Sequence, residues 1–347
     1  MAWELRPEDV TALARGYALL GSGGGGSTTL LELMLARDLR EPVSIADIDE
    51  LDPDTPCLGA AFVGSTFLFG EKMPYARPFD HLIAAAERWL GTRVPAVCSL
   101  EGGGLNGLSP LLLAGDRTLV DADCTGRAVP ELDQMSLFVD RVPGMVFACD
   151  TGAGGVALVE TDRAVDAERI IRAAIVQAGG IGAAVLSGFT VGDLRSASIP
   201  RHQHRALQLG RAWLATAFAP PATLAEALGG RLLTHGRIEA VTSHSAPHRE
   251  QRVQAVEIEG PEGSVDRVLT GSETLAMLRD GVLVSATPSV IVVLDAVSRD
   301  ILQVTDLAPG RRVIVLDLPA PQWWQLRPER LRRVLPSAYG LPELDAA

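Results

Sequence analysis

Lysine is almost missing from this chain: Lys72 is the only one, and 43 acidic residues against 31 basic ones leave a net charge of −12. Binding to nucleic acid needs clustered cations that displace phosphate counterions. The one basic run, 327–333, reads as a solvated helix face, so no nucleic-acid partner is expected. Cysteine is scarce as well. Cys57, Cys98, Cys124 and Cys149 stand too far apart for CxxC pairs, and three of them sit in apolar runs as small hydrophobes, which speaks against a thiolate zinc site or a disulfide scaffold. No apolar run reaches the ~18 residues of a membrane span, and no basic segment followed by an apolar one opens the sequence. Neither a membrane association nor a signal peptide is expected, and the cytoplasm is the expected compartment. Aromatics contribute only 5% of the residues while glycine occurs 35 times, a composition of many tight turns around an aliphatic core.

The remaining composition is that of a globular protein, 47% apolar over 347 residues, which is longer than one hydrophobic core usually serves. Val10, Leu13, Ala14, Tyr17 and Leu20 recur at helical spacing behind Pro7, a suitable first-turn residue. A glycine run breaks that helix, and Ser27-Thr28-Thr29 with Glu32 can cap a second one reaching about Leu39. Short apolar runs then alternate with helical patterns, the signature of an α/β layer structure. Beyond Gly229 the pattern changes to strands of period two. Together these features predict an α/β protein with an N-terminal domain over 1–165 and a C-terminal domain over 166–347. The second domain opens with helices over 166–228 and is mostly β over 230–320; Gly229 is the alternative boundary.

Three loops carry candidate chemistry. Gly21, Gly23 and Gly26 fit GxGxxG, with Asp47 or Asp49 about twenty residues on, but a dinucleotide fingerprint follows a strand and this one follows a helix. The run Gly23, Gly24, Gly25 and Gly26 therefore needs another reason: close backbone approach to a ligand, or a tight turn packed under a neighbour. The ligand reading is the stronger, since one or two glycines suffice for a turn. The second loop, Glu101-Gly102-Gly103-Gly104-Leu105-Asn106, follows an apolar strand, where α/β sheets bind ligands. It suggests a carboxylate and an amide held around a small polar molecule.

The third loop carries Asp121 and Asp123, two apart and on one side of an extended chain, followed by Arg127 and Glu131. Such a pair can raise one carboxyl pKa for acid/base work or hold a divalent cation. It can equally consist of capping aspartates beside a structural Arg127 salt bridge, and both readings stand. His202 and His204 do not share a helical face, so a surface role is expected of them.

In order, these segments resemble the S-methyl thiohydantoin desulfurase family over nearly the whole chain. The matching runs are Leu20-Gly21-Ser22-Gly23-Gly24-Gly25-Gly26, Glu101 to Asn106, Val120-Asp121-Ala122-Asp123 with Gly126-Arg127 and Pro130-Glu131, Ile199-Pro200 ahead of a helix, and Pro319-Ala320-Pro321 followed by tryptophan. The resemblance implies an N-terminal three-layer α/β/α domain, a C-terminal barrel-like β domain, and hydrolysis of a cyclic S-methyl isothiourea to a hydantoin and methanethiol. It also implies a small-molecule substrate of the cyclic ureide class and a hydantoinase- or oxoprolinase-type protein partner. The expected catalytic acids are Glu101, Asp121 and Asp123; the expected substrate-binding residues are Gly23, Gly24, Gly25, Gly26, Asn106, Arg127 and Glu131. No organic cofactor is expected, while a divalent metal and a homo-oligomer are left open. The chain departs from the family at Ser27, Cys124, Ser272-Glu273-Thr274 and Pro288-Ser289. A rival reading is a non-catalytic subunit that uses the same loops to bind a cyclic metabolite.

Overall fold

The computed structural model describes residues 2–345 except 72–75, 162 and 246–251, so Lys72 lies outside the described residues. Its first sheet has nine strands. At the centre Val43–Ala46, Thr118–Asp123, Ala96–Ser99 and Pro56–Gly64 lie side by side and parallel. Trp3–Leu5 adds antiparallel at one edge. Beyond Pro56–Gly64 the strands Ile181–Thr190, Val146–Asp150 and Val156–Glu160 follow, each antiparallel to its neighbour.

Successive side chains of a strand point to opposite faces, and here both faces are covered. Leu58, Ala60 and Phe62 enter one core, with the helices Val10–Leu20 and Asp80–Leu90. Cys57, Ala61 and Val63 enter the other, with the helix Ala164–Gln177. This is the α/β/α sandwich that the resemblance implies. The sheet does not end where the α/β alternation fades at 165. Ile181–Thr190 pairs along Pro56–Gly64, and Ile199–Pro200 pairs with the end of Thr118–Asp123. The helix His202–Thr216 then crosses Val10–Leu20 at backbone contact: a Cβ on Gly16 would stand 1.7 Å from the Ala206 carbonyl oxygen, and one on Gly210 1.6 Å from that of Ala12.

The second sheet has seven antiparallel strands in the order Val282–Ala286, Thr274–Arg279, Val265–Thr270, Arg252–Glu259, Arg231–Ser245, Arg312–Leu318 and Val290–Asp295. It curls into a half-barrel, so that Met277 near one end and Ile291 at the other share a core with Ile238, Val256 and Val315. The first glycine loop lies across the opening. Ser22 accepts from the Thr274 N–H at 2.8 Å and donates its hydroxyl to the Ile291 carbonyl at 2.8 Å, while the Gly23 carbonyl accepts from the Val304 N–H. No helix among the described residues is long and apolar enough to cross a membrane.

Candidate active site

The parallel strands end at a cleft of about 640 Å³, lined by Gly25, Phe62, Glu101, Asn106 and Glu131 from the first domain and by Ser272 and Glu273 from the second. Its position at the carboxyl ends of the strands is where open α/β sheets gather ligands. Glu101 is partly exposed there, just beyond Ala96–Ser99. Its two oxygens are separately held: Oε2 accepts from Asn106 Nδ2 at 2.7 Å, and Oε1 accepts from the Val129 N–H at 3.0 Å.

Asn106 sits on the 3₁₀ turn Gly104–Leu113 and is almost wholly buried. It also donates to the Phe62 carbonyl at 2.9 Å and accepts from the Phe62 N–H at 2.7 Å and the Ser109 hydroxyl. Both donors and the acceptor of its amide are thus engaged, and its role is to orient Glu101 rather than to reach a ligand. Loss of water around Glu101 disfavours the anion and pushes its pKa up to about 7, with Glu273 and Asp123 adding repulsion, against the pull of Asn106 and the Val129 N–H.

Glu273, which in the sequence stands out only as part of a departure from the family, faces the same cleft. It is 1% exposed. Burial raises its pKa to about 7 despite nearby Arg127 and a hydrogen bond from the Ser272 hydroxyl. The one sequence signal for it is its place between the break Gly271-Ser272 and the apolar run 275–278. No period-two pattern marks Thr274–Arg279 as a strand, because Leu275, Ala276 and Met277 are all buried.

Asp121 and Asp123 do not line the cleft; they lie beneath it. Asp121 accepts from Trp3 Nε1 at 2.7 Å and from the Gln203 N–H at 2.8 Å, so it caps the helix His202–Thr216 from a neighbouring strand. Asp123, fully buried, accepts from the Thr125 and Gly126 N–H groups and closes the turn there. His202 is a correction to the sequence reading, because it is fully buried rather than superficial. Arg201, held at φ 56°, turns the first residue of the helix inward, where His202 Nε2 meets the Gly102 carbonyl at 2.8 Å and lies 3.9 Å from Asp123. His204 is exposed.

Arg127 is buried and donates to three carbonyls, of Ala128, Thr274 and Ser289, the last at 2.6 Å. It clamps the second domain onto the third loop. Glu131 lines the cleft and caps the short turn Leu132–Gln134. Of the four glycines only Gly25 reaches the cleft. Gly23 packs on Val304, Gly24 on the backbone of Ser272 and Glu273, and Gly26 on Leu105 and Thr66.

Cys57, Cys98 and Cys124 are buried side by side; the neighbouring Cys98 thiol and then burial hold the Cys124 thiol well above its ordinary range. Among the described residues no cluster of three or more His, Cys, Asp or Glu side chains is arranged to hold a metal ion.

Comparison with known proteins agrees with this architecture. Residues 8–161 match the family described as S-Me-THD-like, N-terminal domain, and residues 161–347 match S-Me-THD-like, C-terminal domain. A solved X-ray structure of a protein from Chromobacterium violaceum shares the fold, with a TM-score of 0.77 at 22% identity over 95% of each chain. No curated protein matches the sequence.

Proposed function

Since the chain belongs to the S-Me-THD-like family, we propose that it hydrolyses a cyclic S-methyl isothiourea to the corresponding hydantoin with release of methanethiol. The observation that carries this reading is Glu101: a carboxyl in the cleft, fixed by Asn106 and the Val129 N–H and poised near neutrality. A general base works best when its pKa lies close to the working pH. Ionised Glu101 takes a proton from a water molecule, whose oxygen attacks the sulfur-bearing ring carbon. The ring nitrogen of the C=N bond takes up that proton; the hydroxyl of the tetrahedral centre then loses its proton as the C–S bond breaks, the carbon keeps the new oxygen as a carbonyl, and the departing sulfur is protonated to methanethiol. Asn106 acts here as a positioning residue. Asp121 and Asp123 hold the helix start and the turn on which the cleft rests, and in this reading they do not touch the substrate.

Incubating the purified protein with S-methyl thiohydantoins and following free thiol tests the proposal. Sustained thiol release that falls about a hundredfold in Glu101→Gln supports it. Tight binding without turnover favours a metabolite-binding subunit instead.

A further inference from the structure

Expulsion of a methanethiolate is easier when its sulfur is protonated as it leaves, and Glu101, occupied as the base, cannot do both jobs in one step. We propose that Glu273, supplied by the second domain, is the catalytic acid that protonates the departing sulfur, working across the domain junction from Glu101. The inference rests on the hydrolase reading above.

Its geometry comes from the junction. Glu273 lines the same cleft as Glu101 yet is 1% exposed. Its Oε2 accepts from the Ser272 hydroxyl, while its buried Oε1 has no partner among the described residues. A buried carboxyl oxygen without a partner is costly, and a ligand entering the cleft would satisfy it. The residue is also pinned in place. Thr274, next in sequence, donates its N–H to Ser22 and accepts from Arg127 Nη2 at 3.3 Å. Gly24 leaves room for the Glu273 backbone: a Cβ at position 24 would stand 2.8 Å from the Glu273 Cβ and 2.6 Å from the Ser272 carbonyl oxygen.

The groups facing Glu273 decide its protonation. The loss of water and Glu131 of the first domain favour the neutral carboxyl, Arg127 and the Ser272 hydroxyl oppose them, and Glu273 in turn repels the Glu101 anion. Buried Tyr339, from the C-terminal tail, also interacts with Glu273. Arg127 spends its hydrogen bonds on three carbonyls and forms no ion pair with Glu273 among the described residues, so it tempers the repulsion without abolishing it. Two carboxyls that repel in one cleft share a proton near neutrality.

The protons then balance. Glu101 starts ionised and Glu273 protonated. One proton of the attacking water passes through Glu101 to the ring nitrogen. As the tetrahedral centre collapses, its hydroxyl proton goes to Glu101 and the Glu273 proton goes to sulfur. Methanethiol and a ring carbonyl result, and the proton left on Glu101 returns to Glu273 through solvent once the cleft empties.

The test varies the leaving group. Glu273→Gln is expected to lose about a hundredfold in turnover on an S-methyl substrate. It should stay within a few-fold of wild type on an S-nitrophenyl analogue, whose thiolate needs no proton, whereas Glu101→Gln is slow on both. Equal loss on both substrates, or no loss on either, overturns the assignment. A second readout needs no substrate and no variant of Glu273: carboxyl ¹³C NMR of the intact protein should show Glu273 titrating near neutrality, at lower pH in Glu101→Gln. A Glu273 fully ionised at pH 5 refutes the role whatever the activity. Wild-type protein that releases no thiol from either substrate, with the coupled titration intact, instead refutes the hydrolase reading and removes this role with it.

Discussion

At the scale of single residues, the carboxylates beside the third loop and the cleft divide by what they touch. Asp121 has backbone and indole donors on both oxygens and acts as a cap. Asp121→Ala should therefore lower stability by about 1–2 kcal/mol, the usual cost of losing a cap, while turnover per folded molecule stays near wild type. Urea unfolding combined with active-site-normalised rates checks this, and a large rate loss at unchanged stability would move Asp121 back among the catalytic acids.

Glu273 behaves differently because its pKa in the fold lies above its ordinary 4.5, at about 7. A raised carboxyl pKa means that the folded state binds the proton more tightly than the unfolded chain. Its stabilising contribution is complete below about pH 4.5 and is lost as pH rises through 7, an effect of roughly 3 kcal/mol for this buried group. Wild-type protein should accordingly lose more stability between pH 5 and pH 8 than Glu273→Gln does. Identical slopes would show that Glu273 is not desolvated as described.

At the scale of elements, the glycine loop shows what sequence could and could not disclose. Four consecutive glycines favour close approach to a ligand over packing under a neighbour, yet Gly23, Gly24 and Gly26 pack on the chain itself, and the sequence could not show this because Ser272 and Glu273 lie some 250 positions away. Gly24 packs on Ser272 and Glu273, and only Gly25 looks into the cleft. Gly24→Val should push the Glu273 segment outward, with a destabilisation of about 1–3 kcal/mol from overpacking and loss of turnover in the protein that remains folded. Calorimetry and rate measurements on the same preparation decide it; a stable, active variant would mean that the junction is looser than its geometry.

The helix start at His202 was hidden for a related reason. Residues two apart on a helix do not share a face, and His202 and His204 indeed point apart, but the left-handed turn at Arg201 that sets His202 on the inward side leaves no mark in the sequence. Thr274–Arg279 escaped detection because a strand buried on both faces has no alternation to read.

At the scale of the whole molecule, the division into an α/β first part and a mostly β second part was readable from alternation in the first half and period two in the second. The way the halves interlock was not. Strands after 165 complete the first sheet, Ser22 bridges both ends of the half-barrel, and Arg127 reaches three carbonyls on two segments of the second domain and its own loop. Arg127→Met keeps the length and removes these bonds. It should lower stability by about 2–5 kcal/mol, since several buried carbonyls lose charged donors, and disturb turnover through Glu273 rather than through Glu101. Hydrogen exchange localised at Thr274 and Ser289 would report the loosening; unchanged protection there would argue against the clamp.

The central claim is that water, activated by Glu101 in a cleft built by both domains, replaces the sulfur of a cyclic S-methyl isothiourea. A single turnover of wild-type protein in ¹⁸O-water measures it most directly, with mass spectrometry of both the hydantoin and the protein. The account predicts one ¹⁸O in the ring carbonyl, none in the Glu101 or Glu273 carboxyls, and no such product from Glu101→Gln in the same time. Label first appearing in a glutamate side chain, or equal product from the variant, would contradict it.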